Sequence, residues 1–553
     1  MSAVKAKGRK LLKRIRPDER IKIALFLSLL LSCLSGIIMV SRIRPQGAAY
    51  FFTSIDVVVF FLILLPLGAS EALHDLILKR AQIGFLKNAK RIFTSAFIHV
   101  AVYVLLIMII WGLLALKFSE NFLFGKAGYT TLLWGMPLFA ADAFIMILRG
   151  YSDGYYRGHH SAYALLFRQA LLFVLMVIFA GRDSSSGLLV SKLLRNEEVA
   201  YIYDAIGSLR ILLIVSVLCV IILFILLLGG HPDRRVKRAK DNNRKHESPT
   251  GQFYSFSFPL SGAAVCFLSF HYASLLMFGR TYRNGKELLQ PYIWGMYSGI
   301  TGMLYLMPLG LIFLLLYNSL RLTGNSIKRE DRGELRIRCM NLSGEAMIIC
   351  FFFVIFYLAA GFNIPKGLFG VDSALAVRLV YFGAIPLLFC AVALNTSMQL
   401  IILRCRRRLM LHCVIALIPS VALMQFMPGV SIASIGIYSL IVSAVLFYLI
   451  ITVLNYVHLI QYVHYSLDFL RVLILPALCS LAPGVAVLLL GLLFSLFMPA
   501  LLNVIICFIL YTCGWFFAIC KSGLISVYSL RRIPLGRFIG KLGRKLHLLG
   551  EEE

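Results

Sequence analysis

Acidic residues are scarce. Only 25 Asp and Glu stand among 553 residues, and charged types together make up 14%. Soluble domains carry about 25% charged residues, so a soluble globular reading is excluded. Paired cysteines are missing as well. The twelve cysteines are scattered, most inside apolar runs (Cys33, Cys266, Cys350, Cys390, Cys479, Cys507), with no CxxC and no Cys/His ligand spacing. They read as small apolar packing residues, and no metal site is expected. There is no GxGxxG after a strand, no P-loop, no HExxH and no GxSxG. Nucleotide hydrolysis is therefore not expected of this chain, nor is it read as an enzyme. The alternating ~10-residue segments of a transmembrane β-barrel are also absent.

What is present is apolar sequence in long runs. Hydrophobic residues make up 60% of the chain, and run after run approaches the ~20 residues needed to cross a bilayer. Backbone amides in hydrocarbon need internal partners, so each run is expected to be a helix. The expected spans are 23–40, 50–78, 92–116, 130–154, 160–181, 201–229, 253–279, 289–318, 337–362, 373–403, 409–428, 431–457, 468–492 and 497–520. The fold class is an all-α polytopic membrane protein with about 14 transmembrane helices.

The basic residues give the expected orientation. Net charge is +30. With the N-terminus inside and the spans alternating, 39 Lys and Arg fall in cytoplasmic segments and 11 in outside loops. That split follows the positive-inside rule and puts both termini in the cytoplasm of a cell-membrane protein. Basic residues in short loops point to anionic membrane lipids as partners, not to nucleic acid. Residues 1–22 form a basic cytoplasmic N-terminus and 230–252 a basic linker between two bundles, 23–229 and 253–457. Residues 458–525 hold the last two helices. The tail 526–553 carries Ile533, Leu535, Phe538, Ile539, Leu542 and Leu546 at near-helical spacing among Arg and Lys, so an amphipathic helix on the inner leaflet is expected.

An internal repeat supports the two bundles. Leu65-Pro66-Leu67-Gly68 in the second span matches Met307-Pro308-Leu309-Gly310 in the eighth. Met136-Pro137-Leu138 in the fourth matches Ile385-Pro386-Leu387 in the tenth. The offsets, 242 and 249 residues, put helices 1–6 in parallel register with 7–12. Helices 13 and 14 are left over.

Charge inside a span costs at least ~2.5–3.5 kcal/mol and needs a reason. The second span has Glu71, His74 and Asp75 on one helix face. They fit a helix-end cluster or a proton or cation relay. The fourth span has Asp142 and Arg149 two turns apart, and the fifth has Arg168-Gln169. Pairing of Asp142 with Arg168 or Arg210 competes with ligand contact. His271 lies in the seventh span, with Arg280 and Arg283 at its outer end, against the positive-inside bias. The arginines at 404–408 read as inner anchors.

The stretch 129–170, with Pro137, Arg149-Gly150-Tyr151, Gly154 and Arg168-Gln169, resembles the polysaccharide-export branch of the MATE/MOP flippase superfamily, the stage V sporulation protein B-like and MurJ-like proteins. Arg149-Gly150-Tyr151 and Gly154 match that branch's Arg-Gly-Tyr-x-x-Gly turn, Leu65–Leu78 its second helix, and Thr396-Ser397 the equivalent turn of the second half. The family's Glu before Gln is Arg168 here, so the role of that Glu does not transfer. The resemblance implies two six-helix lobes around a central cavity, alternating access, and undecaprenyl-linked sugars such as lipid II as substrates.

The expected function is a lipid-linked glycan flippase, with no cofactor, driven by a coupling cation (H+ or Na+) or the membrane potential, and working as a monomer. Arg149, Arg168, Arg280 and Arg283 are the expected diphosphate contacts, since Arg holds phosphate oxygens at two points. Glu71, Asp75 and Asp142 are the candidates for the coupling ion. Helices 13 and 14 are expected to form a groove for the lipid tail. The rivals are an exporter of small cationic compounds with an acidic cavity, and a non-transporting scaffold or scramblase with a solid interface between the lobes.

Overall fold

The structure is a computed structural model. It describes residues 17–83, 85–122, 128–156, 159–229, 249–281, 289–328, 332–426, 436–466, 468–524 and Gly540. The expected tail helix at 526–548, apart from Gly540, lies outside the described residues, as does most of the 230–252 linker.

The first helix, α1 (Pro17–Leu64), is 48 residues long. A straight helix of that length would span ~72 Å, over twice a ~30 Å hydrocarbon core. It is broken at Arg44, which has φ 62 and ψ 166. Pro45 follows, and a proline disfavours helical geometry at the residue before it. Residues 17–43 and 45–64 are thus two passes. The second pass breaks again at Leu65 and continues as α2 (Pro66–Ile83), with Pro66 at the first helical position.

Next come α3 (Leu86–Phe122), α4 (Tyr129–Tyr156), α5 (His159–Phe179), a short α6 (Ser184–Leu194) and α7 (Glu198–Gly229). The second half holds α8 (Pro249–Thr281), α9 (Leu289–Gly295), a π-helical segment (Met296–Thr301), α10 (Gly302–Lys328), α11 (Arg332–Ala360), a short α12 (Ile364–Phe369), α13 (Ala374–Ile402), α14 (Arg406–Phe426) and α15 (Gly436–Val463). A π-helical turn (Leu470–Ile474) leads into α16 (Leu475–Phe494), and α17 (Ala500–Lys521) follows. Counting α1 once, thirteen described helices are long and apolar enough to cross a membrane, and the break at Arg44 brings the passes to about fourteen. The chain is a multi-pass membrane protein.

Several helices run past the expected spans. The first is described from Pro17, inside the basic 1–22 segment, α3 covers Leu86–Phe122 against 92–116, and α8 is described from Pro249, inside the expected linker.

The packing repeats. In residues 17–229, α2 packs on α4, α3 on α4, α4 on α7, α5 on α7, α1 on α5 and α2 on α3. In residues 249–463 the corresponding pairs are α10 on α13, α11 on α13, α13 on α15, α14 on α15, α8 on α14 and α10 on α11. Pro137 and Pro386 each lie inside the helix that makes the most of these pairings, α4 and α13.

The halves meet along two seams. In one, α1 runs beside α9, the π-helical segment and α10. Here Gly36 admits the Met303 sulfur, and the Cys33 thiol lies 3.8 Å from the Met307 sulfur. In the other, α8 lies against α1, α2 and α3, and α2 crosses it at Gly68, where an added Cβ would run into the Ser257 carbonyl and the Ser261 hydroxyl. Small residues serve this purpose in lipid, where helices associate by close packing, not by escape from water. Outside both seams, α16 packs on α11 and pairs with α17, which reaches α12. The other faces of α16 and α17 are open and apolar, with Leu489, Leu493, Leu501, Ile505 and Phe517 exposed.

Candidate functional site

Helix α4 carries Asp142, Arg149 and Asp153 along the face that packs into the first half. Asp142 accepts from Arg168 of α5: the Arg168 Nη2 donates to Oδ1 at 2.8 Å and Oδ2 at 3.1 Å. The same nitrogen donates to Ser216 Oγ of α7 at 2.9 Å. Both charges are mostly buried, at 15% and 16% side-chain exposure. Of the two readings of Arg168, the structure gives internal pairing, and Asp142 is engaged by the same contact.

The expected Arg-Gly-Tyr-x-x-Gly turn is corrected. Helix α4 runs unbroken through Arg149, Gly150 and Gly154 to Tyr156. Gly150 and Gly154 lie four residues apart on one face. A Cβ on Gly150 would enter the Ser70 backbone, and one on Gly154 would strike Ile77. These glycines make a close crossing with α2 instead of a turn. The equivalent turn expected at Thr396-Ser397 is likewise helix, inside α13. There both hydroxyls accept from Asn455 Nδ2, at 3.1 and 3.0 Å.

That crossing brings α4 to the expected cluster on α2. Glu71 is within electrostatic reach of His74, Asp75, Arg149 and Asp153. His74 Nδ1 lies 3.3 Å from Asp75 Oδ1. Arg406, at the start of α14 in the other half, is within reach of both Asp75 and Glu71. The sequence suggested only an anchoring role for Arg406. The loop-end position hid the fact that α14 starts opposite α2. Glu71 is itself solvent-exposed, on a helix that meets Arg149 of its own half and Arg406 of the other. This is the end of the bundle that carries Lys79, Arg80 and Arg404–Arg408, called the basic end below.

A second contact joins the halves toward the opposite, far end. Asp56 Oδ2 of α1 lies 3.0 Å from His271 Nε2 of α8. The Tyr272 hydroxyl donates to the Asp56 carbonyl at 3.1 Å. The Phe60 and Tyr272 rings meet edge to face at 5.1 Å. His271 is deep in the protein, and its side chain is still 38% exposed. Tyr297 of the π-helical segment and Tyr305 of α10 are also deep and only partly covered. His271 stands out in the sequence as an imidazole within the seventh span, whereas Asp56 does not stand out. The available signal was an acid alone between Phe51 and Leu67.

The four arginines expected on a diphosphate are not seen together. Arg149 joins the Glu71 cluster and Arg168 holds Asp142. The Arg280 side chain and all of Arg283 lie outside the described residues. The second half has a buried hydrogen-bond network instead. Asn395 and Gln399 donate to Ser343 Oγ at 3.1 and 3.0 Å, and His412 Nδ1 lies 2.8 Å from Asn455 Oδ1. Hydrogen bonds between buried amides and hydroxyls on different helices brace those helices in a membrane. Among the described residues, no group of three or more His, Cys, Asp or Glu converges as a metal site.

No protein-family model matches the chain, and no curated protein sequence matches it. Solved structures do match. An inward-facing multidrug resistance MATE family transporter of the MOP superfamily superposes with a TM-score of 0.60 at 14% identity, over 81% of this chain and 98% of that one. An outward-facing one gives 0.55 at 13%, over 80% and 94%. The lipid II flippase MurJ, in an inward closed conformation, gives 0.57 at 13%, over 89% and 97%. At these identities the likeness is one of fold, and the chain has the fold common to these MOP-superfamily transporters and the flippase.

Proposed function

We propose that the chain is a flippase that moves a lipid-linked anionic headgroup, an undecaprenyl-linked cell-wall or polysaccharide precursor, across the cell membrane by alternating access between its halves. The observation that carries this reading is the final helix pair. Helices α16 and α17 lie outside the repeated packing and present open apolar faces to lipid. A lipid tail needs such a surface beside the path of its headgroup. The superposition with the lipid II flippase covers more of this chain than that with either MATE transporter, 89% against 81% and 80%, a difference about the size of that pair.

In this reading the basic end is cytoplasmic, following the loop charges. Arg149 and Arg406 set two cations beside Glu71 and Asp75, and in this reading Arg149 meets a diphosphate entering from that end. Arg168 holds α4 and α5 in place through Asp142. Arg280 and Arg283 serve release at the outer end. Turnover draws on an ion gradient or the membrane potential.

A second reading, export of small cationic compounds, is favoured by one observation. Three carboxylates, Asp56, Glu71 and Asp75, stand along the interface between the halves. Purified protein in liposomes separates the two. A fluorescent polyprenyl-diphosphate sugar should become accessible to an outside reagent in the presence of protein, and Arg149→Gln should slow this at least about tenfold, the size of one lost charge-assisted contact. Uptake of a cationic dye with no movement of the lipid probe would reject the flippase.

A further inference from the structure

We propose that Asp56 and His271 form a proton-binding site that joins the two halves, so that a proton held there closes the seam between α1 and α8. The use of this site in transport rests on the function proposed above; the site itself does not.

The two residues come from different halves and stand at the same depth. Asp56 is eleven residues past Pro45 and His271 ten before Thr281. At 1.5 Å per residue both lie roughly 15 Å from the far end of their helices. Asp56 Oδ2 and His271 Nε2 lie 3.0 Å apart without the alignment of a hydrogen bond, so the approach is one of charge, and it is framed from both sides. Tyr272 holds the Asp56 carbonyl, and its ring rests on Phe60. The seam therefore depends on a short polar contact flanked by packing.

Protonation decides the strength of that contact. With a proton on the imidazole, an imidazolium faces a carboxylate in a medium of low dielectric, and attraction is strong. Without it, the neutral ring offers at most one hydrogen bond, and a carboxylate within the membrane remains poorly compensated. Asp56 Oδ2, itself shielded from solvent, is then better served by water, which reaches it when α1 and α8 part. The His271 side chain is 38% exposed, so water can bring or remove its proton.

The groups around His271 leave this titration to the pair. Helices α1, α2, α3, α14 and α15 pack against α8. Among the described residues, the charged group they bring within electrostatic reach of His271 is Asp56. Tyr272, on α8 itself, is the other polar neighbour. At the basic end the contact across the halves uses Arg406, whose guanidinium keeps its proton. His74 does titrate, but its carboxylate partner Asp75 is on its own helix. Thus the far-end contact responds to protons across the seam.

The sign follows directly. The closed seam belongs to the protonated imidazole and is lost as rising pH removes that proton. Hydrogen–deuterium exchange of the full chain in lipid nanodiscs reads this, using peptides over 52–62 and 265–276 and correcting for the intrinsic pH dependence of exchange. Wild type should exchange about tenfold faster at pH 8.5 than at pH 5.5 in both peptides. His271→Gln and Asp56→Asn should exchange fast at both values. His271→Arg, with a permanent charge, should stay slow at both and shows that substitution here does not unfold the chain. Equal corrected exchange of wild type at both pH values overturns the proposal, as does a His271→Arg protein that still responds to pH. A pH-dependent seam in a protein that fails the lipid-probe assay supports the proton site and rejects only the flippase function.

Discussion

Arg168 and Asp142 form a two-point ion pair within the first half, closed on its third side by Ser216. The pair ties α4, α5 and α7 together at a depth where neither charge could stand alone.

Removing one partner should therefore act on folding before transport. Breaking a buried pair from one side costs ~3–5 kcal/mol, because the remaining charge is stranded. Arg168→Gln is expected to lower the yield of folded protein and its melting temperature sharply. Adding Asp142→Asn to it should restore much of the loss. If Arg168→Gln alone is as stable as wild type and only transport falls, Arg168 contacts substrate.

The two glycine crossings should behave differently from one another. Gly150 faces Ser70 within one half, and Gly68 faces Ser257 across the two. A methyl group forced into a packed contact costs ~1–3 kcal/mol. Gly150→Ala should lower thermal stability by that order. Gly68→Ala should be nearly as stable as wild type, because the halves separate to relieve the clash. Accessibility of a cysteine placed at Ser261 would report the separation. Similar melting losses in both variants, with no change in accessibility, would contradict this.

Arg406 and Arg407 are neighbours with different surroundings. Arg406 is half-buried within reach of Asp75 and Glu71, while Arg407 is exposed. Arg406→Gln should loosen the basic end, seen as faster proteolysis near Lys79–Lys90 in vesicles. Arg407→Gln should leave it unchanged, as exposed charges contribute ~0–1 kcal/mol. Equal effects of the two would return Arg406 to a simple anchoring role.

Sequence alone determined the membrane class, the spans and the doubling of the fold. Length and hydropathy set the helices, since hydrocarbon leaves the backbone no other partner. The paired Pro66/Pro308 and Pro137/Pro386 showed the repeat because a proline marks a helix as no other residue does. It also offered Asp142–Arg168 as one of several pairings, since two charges inside apolar spans need partners. Only the tertiary structure decided which charges meet. Gly150 matched a turn in sequence and is a helix crossing in space, because a neighbouring helix, not local geometry, demands the missing side chain. Asp56 meets His271 from 215 residues away, and Arg406 faces α2 from the other half. Contacts across the seams depend on how the two halves dock, and no period or spacing within either half encodes that.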